Sequence, residues 1–272
     1  MDRYERVERI DLKSPRDVVT EVDHLSEELI LGAIRAAWPG DAILAEESGA
    51  HHRRDGTQAT AATGRTWIVD PVDGTVNYAN GIPFFCVSVA LVVDGRPTVG
   101  VVHDPTRGES YSATADGRAT LGRRAVRASE KVRLSDYVIS LALGGRGVAT
   151  RIRAVRKAVR ISRSMGSAAL ALAYVANGRF DAFVQQLGLS TWDIAAAGLI
   201  AERAGATVTD TEGGPWFDLL RAPKAIGVVA APQAHHRTLL DLSRGALAAP
   251  PPEPAAEPRS SATTQGPGRD PR

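Results

Sequence analysis

Cysteine occurs once in the 272 residues, so no intrachain disulfide can hold this chain together. Cys86 sits in the apolar run Phe84-Phe85-Cys86-Val87-Ser88-Val89-Ala90-Leu91-Val92-Val93, where a buried, unreactive thiol is expected. That scarcity fits a reducing, cytoplasmic setting. No run approaches the ~18 continuous apolar residues of a membrane span. The charged start Met1-Asp2-Arg3-Tyr4-Glu5-Arg6 has no apolar stretch behind it, so it does not read as a secretory leader. Neither sign of charge dominates, with 33 Lys and Arg against 31 Asp and Glu. The balance excludes an attraction to nucleic acid or to anionic membranes driven by composition alone.

What the chain does have is an ordinary globular profile, 43% hydrophobic and 24% charged, long enough for one large domain with a substantial core. Ser26 to Trp38 carries Leu29, Ile30, Ala33, Ile34 and Ala37 at helical spacing and stops at Pro39-Gly40. A short strand at Ala42 to Ala45 then delivers Glu46 and Glu47, and the polar residues 48–65 read as a mobile loop. Trp67 to Val69 is the next strand. Asp94-Gly95 and Asp116-Gly117 punctuate apolar runs as hairpin turns do, predicting an antiparallel sheet in the middle third. Further on, the pattern gives a helix at 166–176 and a strand at 180–185. An amphipathic helix at 193–204, closed by Gly205, and strands at 207–209 and 226–230 complete it. The ordered domain is expected over residues 1–246. The Pro- and Ala-rich stretch 247–272 is expected to be a disordered tail. Strands mixed with helices indicate a layered α/β or α+β fold.

The most informative stretch is Asp70-Pro71-Val72-Asp73-Gly74-Thr75. Two carboxylates close together at a strand end, a glycine that admits close approach and an adjacent hydroxyl suit a hard cation beside a phosphate. Glu46 and Glu47 at a strand end, Asp193 at a helix start, and Asp23 in Asp17-Val18-Val19-Thr20-Glu21-Val22-Asp23 each have an ordinary explanation as solvated ends or caps. Their order along the chain is what gives them weight.

That order resembles the inositol monophosphatase family of lithium-sensitive, metal-dependent phosphatases. Four segments carry the resemblance: residues 17–23, Glu46-Glu47-Ser48, Trp67 through Asn77, and Trp192-Asp193-Ile194-Ala195-Ala196-Ala197-Gly198. It spans about Lys13 to Ala231 and implies a layered α-β-α-β-α sandwich and a homodimer. By resemblance, Glu46, Asp70, Asp73, Asp193 and the carbonyl of Val72 would bind on the order of two or three Mg²⁺ ions. Asp23 and Thr75 would activate the attacking water, with Glu46 also placed in the catalytic set. The amides of Gly74 and Thr75 would face the phosphate, and Ser167, Ala168, Gln186, Asp73 and Asp193 would contact substrate. The implied reaction is hydrolysis of a small phosphate monoester, inositol 1-phosphate being favoured. Fructose 1,6-bisphosphate, histidinol phosphate and 3′-phosphoadenosine 5′-phosphate are alternatives. No phosphoenzyme is implied, which fits the absence of a nucleophilic Cys or Ser in these motifs.

The sequence departs from the family at three places. Gln186 stands where a glutamate is usual, only twelve residues precede Lys13 where a long first helix is usual, and the loop at Gly144 to Thr150 looks abbreviated. His51-His52 and His235-His236 lack further ligands at recognised spacing and read as exposed loop and helix positions. Gly144-Gly145-Arg146-Gly147 reads as a flexible loop. Arg146, Arg151, Arg153, Arg156, Lys157, Arg160 and Arg163 form a run without an acidic residue, first of all a solvated helix face. The competing function lies there: an anionic partner such as RNA or the transcription machinery, in place of enzymatic activity.

Overall fold

The computed structural model describes residues 1, 4, 10–14, 17–51 and 64–247. An antiparallel pair, β1 (Ile10–Ser14) and β2 (Asp17–Thr20), leads into α1 (Glu21–Ala37). The helix begins at Glu21 rather than Ser26 because Thr20 caps it. Its hydroxyl accepts from the Val22 amide, and the Asp23 carboxylate reaches back to the Thr20 amide at 2.8 Å.

Eight strands then form the larger sheet. They are β3 (Ala42–Ala45), β4 (Gly49–His51), β5 (Arg65–Asp73), β6 (Cys86–Val93), β7 (Arg96–Asp104), β8 (Glu109–Thr114), β9 (Thr120–Leu121) and β10 (Arg124–Ala125), with α2 (Thr75–Ala79) between β5 and β6. Their order is β10-β9-β8-β7-β6-β5-β3-β4, antiparallel except where β3 meets β5. The expected antiparallel middle third is therefore present. Asp94 and Gly95, at φ 49° and 75°, make the turn between β6 and β7.

The smaller sheet is built from β11 (Val138–Ala142), β12 (Ile161–Arg163), β13 (Ala182–Leu189), β14 (Ala206–Asp210) and β15 (Ile226–Pro232). They lie in the order β12-β11-β13-β15-β14. Four helices belong to this half: α3 (Val148–Ala158), α4 (Ala168–Ala173), α5 (Thr191–Arg203) and α6 (Gln233–Arg244).

Strand alternation assigns the layers. On β15, Val228 and Ala230 join the central cluster with α4, α5 and Ile68 of β5, whereas Val229 and Ala231 pack outward with Leu239 of α6 and Val155 of α3. On the larger sheet, Val69 and Ile43 turn the other way and pack on Leu31 and Ile34 of α1. The result is α1, larger sheet, α4 with α5, smaller sheet, α3 with α6, the α-β-α-β-α sandwich. The middle layer is thin because Ala195, Ala196 and Ala197 are fully buried against the strands.

Several local expectations change. Of the loop expected at 48–65, residues 52–63 lie outside the described ones, and Gly49–His51 is a strand. The tail from residue 248, His52 and most of the first nine residues are also outside them. The helix expected at 166–176 starts at Ala168 and tightens to a 3₁₀ turn at Tyr174–Asn177. The strand expected at 180–185 runs instead from Ala182 to Leu189. The 144–147 loop is held rather than free. The Arg151 guanidinium donates to the Gly144 and Arg146 carbonyls, and Gly147 in the left-handed region opens α3. His236, expected to be exposed, is buried. The Thr209 hydroxyl donates to the Asp210 carbonyl, so the imidazole Nε2–H serves Thr209 Oγ1 and the Val229 carbonyl. No helix among the described residues is long and apolar enough to cross a membrane.

Gly100 on β7 shows how tightly α5 is seated. A Cβ there would lie 2.8 Å from the Ala196 Cα and 2.9 Å from its carbonyl oxygen, both backbone atoms that cannot rotate away. We expect Gly100→Ala to destabilise the fold by about 1–3 kcal/mol in urea unfolding. A loss below ~0.5 kcal/mol, the range of neutral surface changes, would show that the layers can slide apart at little cost.

Candidate active site

A cavity of about 330 Å³ opens between the two sheets, and one defect in β5 organises it. Asp70 pairs with Ser88 and Asp73 with Cys86, so three steps on β5 face two on β6. In a regular strand, residues three apart point to opposite faces; the extra residue brings both carboxylates to one face. Pro71 is tolerated because the bulge leaves it without a ladder bond to donate. The Val72 amide donates to Asp70 Oδ1 at 3.1 Å, fixing the first carboxylate within its own turn.

The chain then turns sharply at Gly74, φ 98°, into α2. A side chain there would lie 3.1 Å from Ser167 Cβ, 3.2 Å from the Phe84 carbonyl oxygen and 3.3 Å from that of Gly166, so both conformation and space call for glycine. Asn77 of α2 donates to the carbonyls of Phe84 and Met165 at 2.6 and 2.7 Å, binding this turn to the facing wall.

That wall is the start of α4. Asp73 Oδ2 accepts from the Ser167 hydroxyl at 2.5 Å and the Ala169 amide at 2.7 Å, with the Ala168 amide adding a further donor. Across the cavity, Asp193 lies in the first turn of α5, where its Oδ2 accepts from the Ser190 amide at 2.6 Å. One oxygen each from Asp70, Asp73 and Asp193 falls within 4.8 Å of the others. Glu46 lines the same cavity and hydrogen-bonds to Asp70.

The third contribution comes from α1. Asp23 is fully buried and accepts from the Thr20 hydroxyl at 2.6 Å and from the Thr75 hydroxyl at 2.8 Å. Thr75 has a second acceptor, the Val72 carbonyl at 3.0 Å, for its single proton. Thr75 itself lines the cavity, so its oxygen connects the cavity to Asp23.

Of the residues singled out from the sequence, Glu46, Asp70, Val72, Asp73, Gly74, Thr75, Ser167, Ala168 and Asp193 line one cavity, with Asp23 directly behind Thr75. Gln186 does not join them. Phe183 faces the central layer and Val184 the outer one, so alternation along β13 turns Gln185 to the cavity and Gln186 away from it. Gln186 is held instead by the Arg151 guanidinium and donates to the Ser243 carbonyl at 3.4 Å. The count of seven back from Asp193 falls on Gln186, whose neighbour Gln185 is the one that lines the cavity.

Sequence reading also missed Glu27. It is buried, and its carboxylate accepts from the amides of Glu47 and Ser48 at 2.9 and 3.0 Å and from the Ser48 hydroxyl. It thereby holds the turn that presents Glu46. The available signal was spacing, since Glu27 follows Asp23 by one helical turn.

The family model described as "Inositol monophosphatase family" matches residues 1–247. This chain belongs to the inositol monophosphatase family. A protein from Mesorhizobium japonicum named inositol-1-monophosphatase is 38% identical over 89% of this chain and 88% of its own. A Pasteurella multocida protein named Nus factor SuhB is 38% identical over 78% and 79%. Among solved structures, the Thermotoga maritima IMPase TM1415 superimposes with a TM-score of 0.78 at 31% identity, over 90% of both chains.

The electrostatics of this cavity are those of acids crowded together. Burial pushes Asp70 well above the usual carboxylate range, and Glu46, Asp73 and Asp193 push it further. Asp193 is raised well by burial and then by Asp73, and Asp73 is raised by burial against the opposing pull of Ser167 and the α4 amides. A carboxyl raised on folding stabilises the fold below its unfolded value, near 3.8, and that stability is lost as pH climbs through the raised value. At neutral pH the metal-free cluster is therefore a cost. We expect metal-free Asp70→Asn to melt higher than the parent at pH 7–8, by roughly 2–4 °C for each kcal/mol relieved, with the difference shrinking as pH falls toward 4. Calorimetric scans across pH check this; an equal or lower Tm for the variant would refute the reading.

Proposed function

We propose that this protein hydrolyses a small phosphate monoester in a Mg²⁺-dependent reaction, with inositol 1-phosphate the favoured substrate. The observation that carries the proposal is the placement of three carboxylates, Asp70 buried and Asp193 partly so, within 4.8 Å of one another beside a Thr75 hydroxyl bonded to buried Asp23. The donors suit a hard divalent ion: they are carboxylate oxygens, and the raised values of Asp70, Asp73 and Asp193 mark negative charge that a cation would relieve. Asp70, Asp73, Asp193, Glu46 and the Val72 carbonyl would hold the Mg²⁺. The chemistry supplied by bound Mg²⁺ is Lewis-acid polarisation of water and neutralisation of charge on the phosphate and leaving oxygens.

The chain's own residues handle the proton and the alignment. Thr75 donates to Asp23 and so presents an acceptor oxygen to the cavity, and the pair takes the proton of a water that attacks phosphorus. As the new P–O bond forms, the bond to the ester oxygen breaks. The leaving alkoxide takes up a proton that balances the one removed. The amides of Gly74 and Thr75 face the phosphate, and Ser167 and Ala168 keep Asp73 aimed through their hydrogen bonds. The neutral polar wall of Ser140, Ser164 and Gln185 suits the hydroxyls of a polyol. Inhibition by Li⁺ and cytoplasmic residence belong to the same reading.

Relatives named Nus factor SuhB favour a second reading, a binding role in transcription. Phosphate release from a substrate panel, with and without Mg²⁺, separates the two. We expect Mg²⁺-dependent release that EDTA abolishes and Li⁺ suppresses. In Asp23→Asn and Asp73→Asn we expect release lowered by about 10²-fold or more with circular dichroism unchanged. Full activity in either variant refutes the assigned roles, and no release from any phosphate favours the binding role.

A further inference from the structure

Of the acids that line the cavity, Asp70 and Asp73 belong to β5, inside the larger sheet, and Asp193 to α5 in the middle layer. Glu46 is carried differently. It stands in the turn Glu46-Glu47-Ser48 between β3 and β4, and β4 is the three-residue edge strand of that sheet. On one side the turn is tied to the sheet, since the Glu46 amide donates to the carbonyl of Val69, the residue before Asp70, at 3.1 Å. On the other side it rests on Glu27. Glu27 Oε2 accepts from the Glu47 amide at 2.9 Å, and its Oε1 accepts from the Ser48 amide at 3.0 Å and from the Ser48 hydroxyl. Both carboxylate oxygens are thereby used. Glu27 is 4% exposed and is not among the described residues lining the cavity, so it meets neither cation nor substrate itself. Its own position is set by the core: Leu31, one turn further along α1, packs with Val69 of β5 and Ile43 of β3. Without a cation, repulsion among the four cavity acids favours an outward swing of Glu46, the one carried by a turn, and Glu27 opposes that swing.

We propose that Glu27 is a positioning residue for the divalent cation: it fixes Glu46 toward the other acids before the cation arrives, and so sets the cavity's affinity for that cation. The inference rests on the cation-dependent reading of the cavity and adds to it a residue that touches neither cation nor substrate. A ligand already held in place loses little freedom on binding, so its ordering cost is met when the chain folds. Partners that hold a metal ligand from behind typically change metal affinity by about 10- to 100-fold. The acid is required chemically as well as sterically. A glutamine of the same size would turn its NH₂ toward the amide of Glu47 or of Ser48, a donor meeting a donor.

The test titrates Mn²⁺, a hard divalent probe suited to carboxylate oxygens, against the full chain, with free Mn²⁺ followed by electron paramagnetic resonance. Phosphate release against Mg²⁺ concentration is measured in parallel. The parent is compared with Glu27→Gln, with Ser48→Ala, and with Val155→Ala, a core truncation in the outer helical layer that controls for lost stability alone. We expect Glu27→Gln to raise the Mn²⁺ dissociation constant by about tenfold or more. Ser48→Ala, which removes one donor and keeps both amides, should raise it by about threefold, while Val155→Ala binds as the parent does. The Mg²⁺ midpoint for phosphate release should rise in step in Glu27→Gln, with turnover returning toward the parent value at saturating Mg²⁺. Parental Mn²⁺ affinity in Glu27→Gln, or a loss that Val155→Ala matches, overturns the proposal. Should Glu27→Gln not fold, parental affinity in Ser48→Ala overturns it. No Mn²⁺ bound by the parent overturns the cation reading of the cavity itself, a result distinguishable from equal binding in parent and variants.

Discussion

The structure depends on keeping several carboxylates buried side by side while each remains aimed. Repulsion and desolvation both oppose that arrangement, and each acid is countered locally by backbone donors. Asp23 takes the Thr20 amide, Asp70 the Val72 amide, Asp73 the Ala169 amide and Asp193 the Ser190 amide, while Glu27 takes two at Glu47 and Ser48. A backbone donor is carried by an element that the core already fixes, so the aim of each acid is inherited from packing rather than from a long side chain's rotamer. Among the described residues no arginine or lysine is paired with Asp23, Glu27, Asp70, Asp73 or Asp193 in a salt bridge. The crowding of Asp70, Asp73 and Asp193 is therefore not relieved by an internal ion pair, and burial and mutual repulsion raise all three.

This explains why the site lies where three layers meet. The larger sheet supplies the bulge that turns Asp70 and Asp73 to one face. The thin middle layer supplies the amides of α4 and the capped start of α5. On the far side of the sheet, α1 presents Asp23, Ser26 and Glu27 on one surface: Asp23 meets Thr75, Ser26 donates to the Pro71 carbonyl at 3.0 Å, and Glu27 holds the Glu46 turn. Three neighbouring positions of a single helix thus secure the bulge, the hydroxyl and the turn. Displacing α1 would disturb all of them together.

Much of this was legible because it rests on local chemistry. Asp70-Pro71-Val72-Asp73-Gly74-Thr75 carries its own bulge, turn and hydroxyl, and the Asp-Gly pairs mark their hairpins without help from tertiary structure. What escaped was set by registers and partners distant in sequence. Gln185 and Gln186 differ in which face of β13 they occupy, and that face is fixed by the strand's packing between two layers rather than by its distance from Asp193. Glu27 looked like any acid on a helix, since its partners at Glu47 and Ser48 lie on another strand end. His236 looked exposed beside His235 until α6 was laid on β15, where the Val229 carbonyl and Thr209 receive it. Arg151 belonged to a run that read as solvated, yet its guanidinium pins the 144–147 loop and Gln186.

The same geometry gives the cavity two differently built walls. The acids and Thr75 are tied into β5, α1, α4 and α5, whose mutual packing leaves no room to change one without the others; Gly100 against Ala196 shows how little slack there is. The opposite wall is drawn from β11, β13 and the segments around Ser164 and Lys224, at the ends of strands in the smaller sheet. The segment Gly188 to Ser190 links that wall to the acids: the Gly188 amide donates to the Lys224 carbonyl, and Ser190 Oγ accepts from the Lys224 amide. A site built in this way ties its acids to elements whose positions the core already sets, and draws its facing wall from strand ends of the smaller sheet.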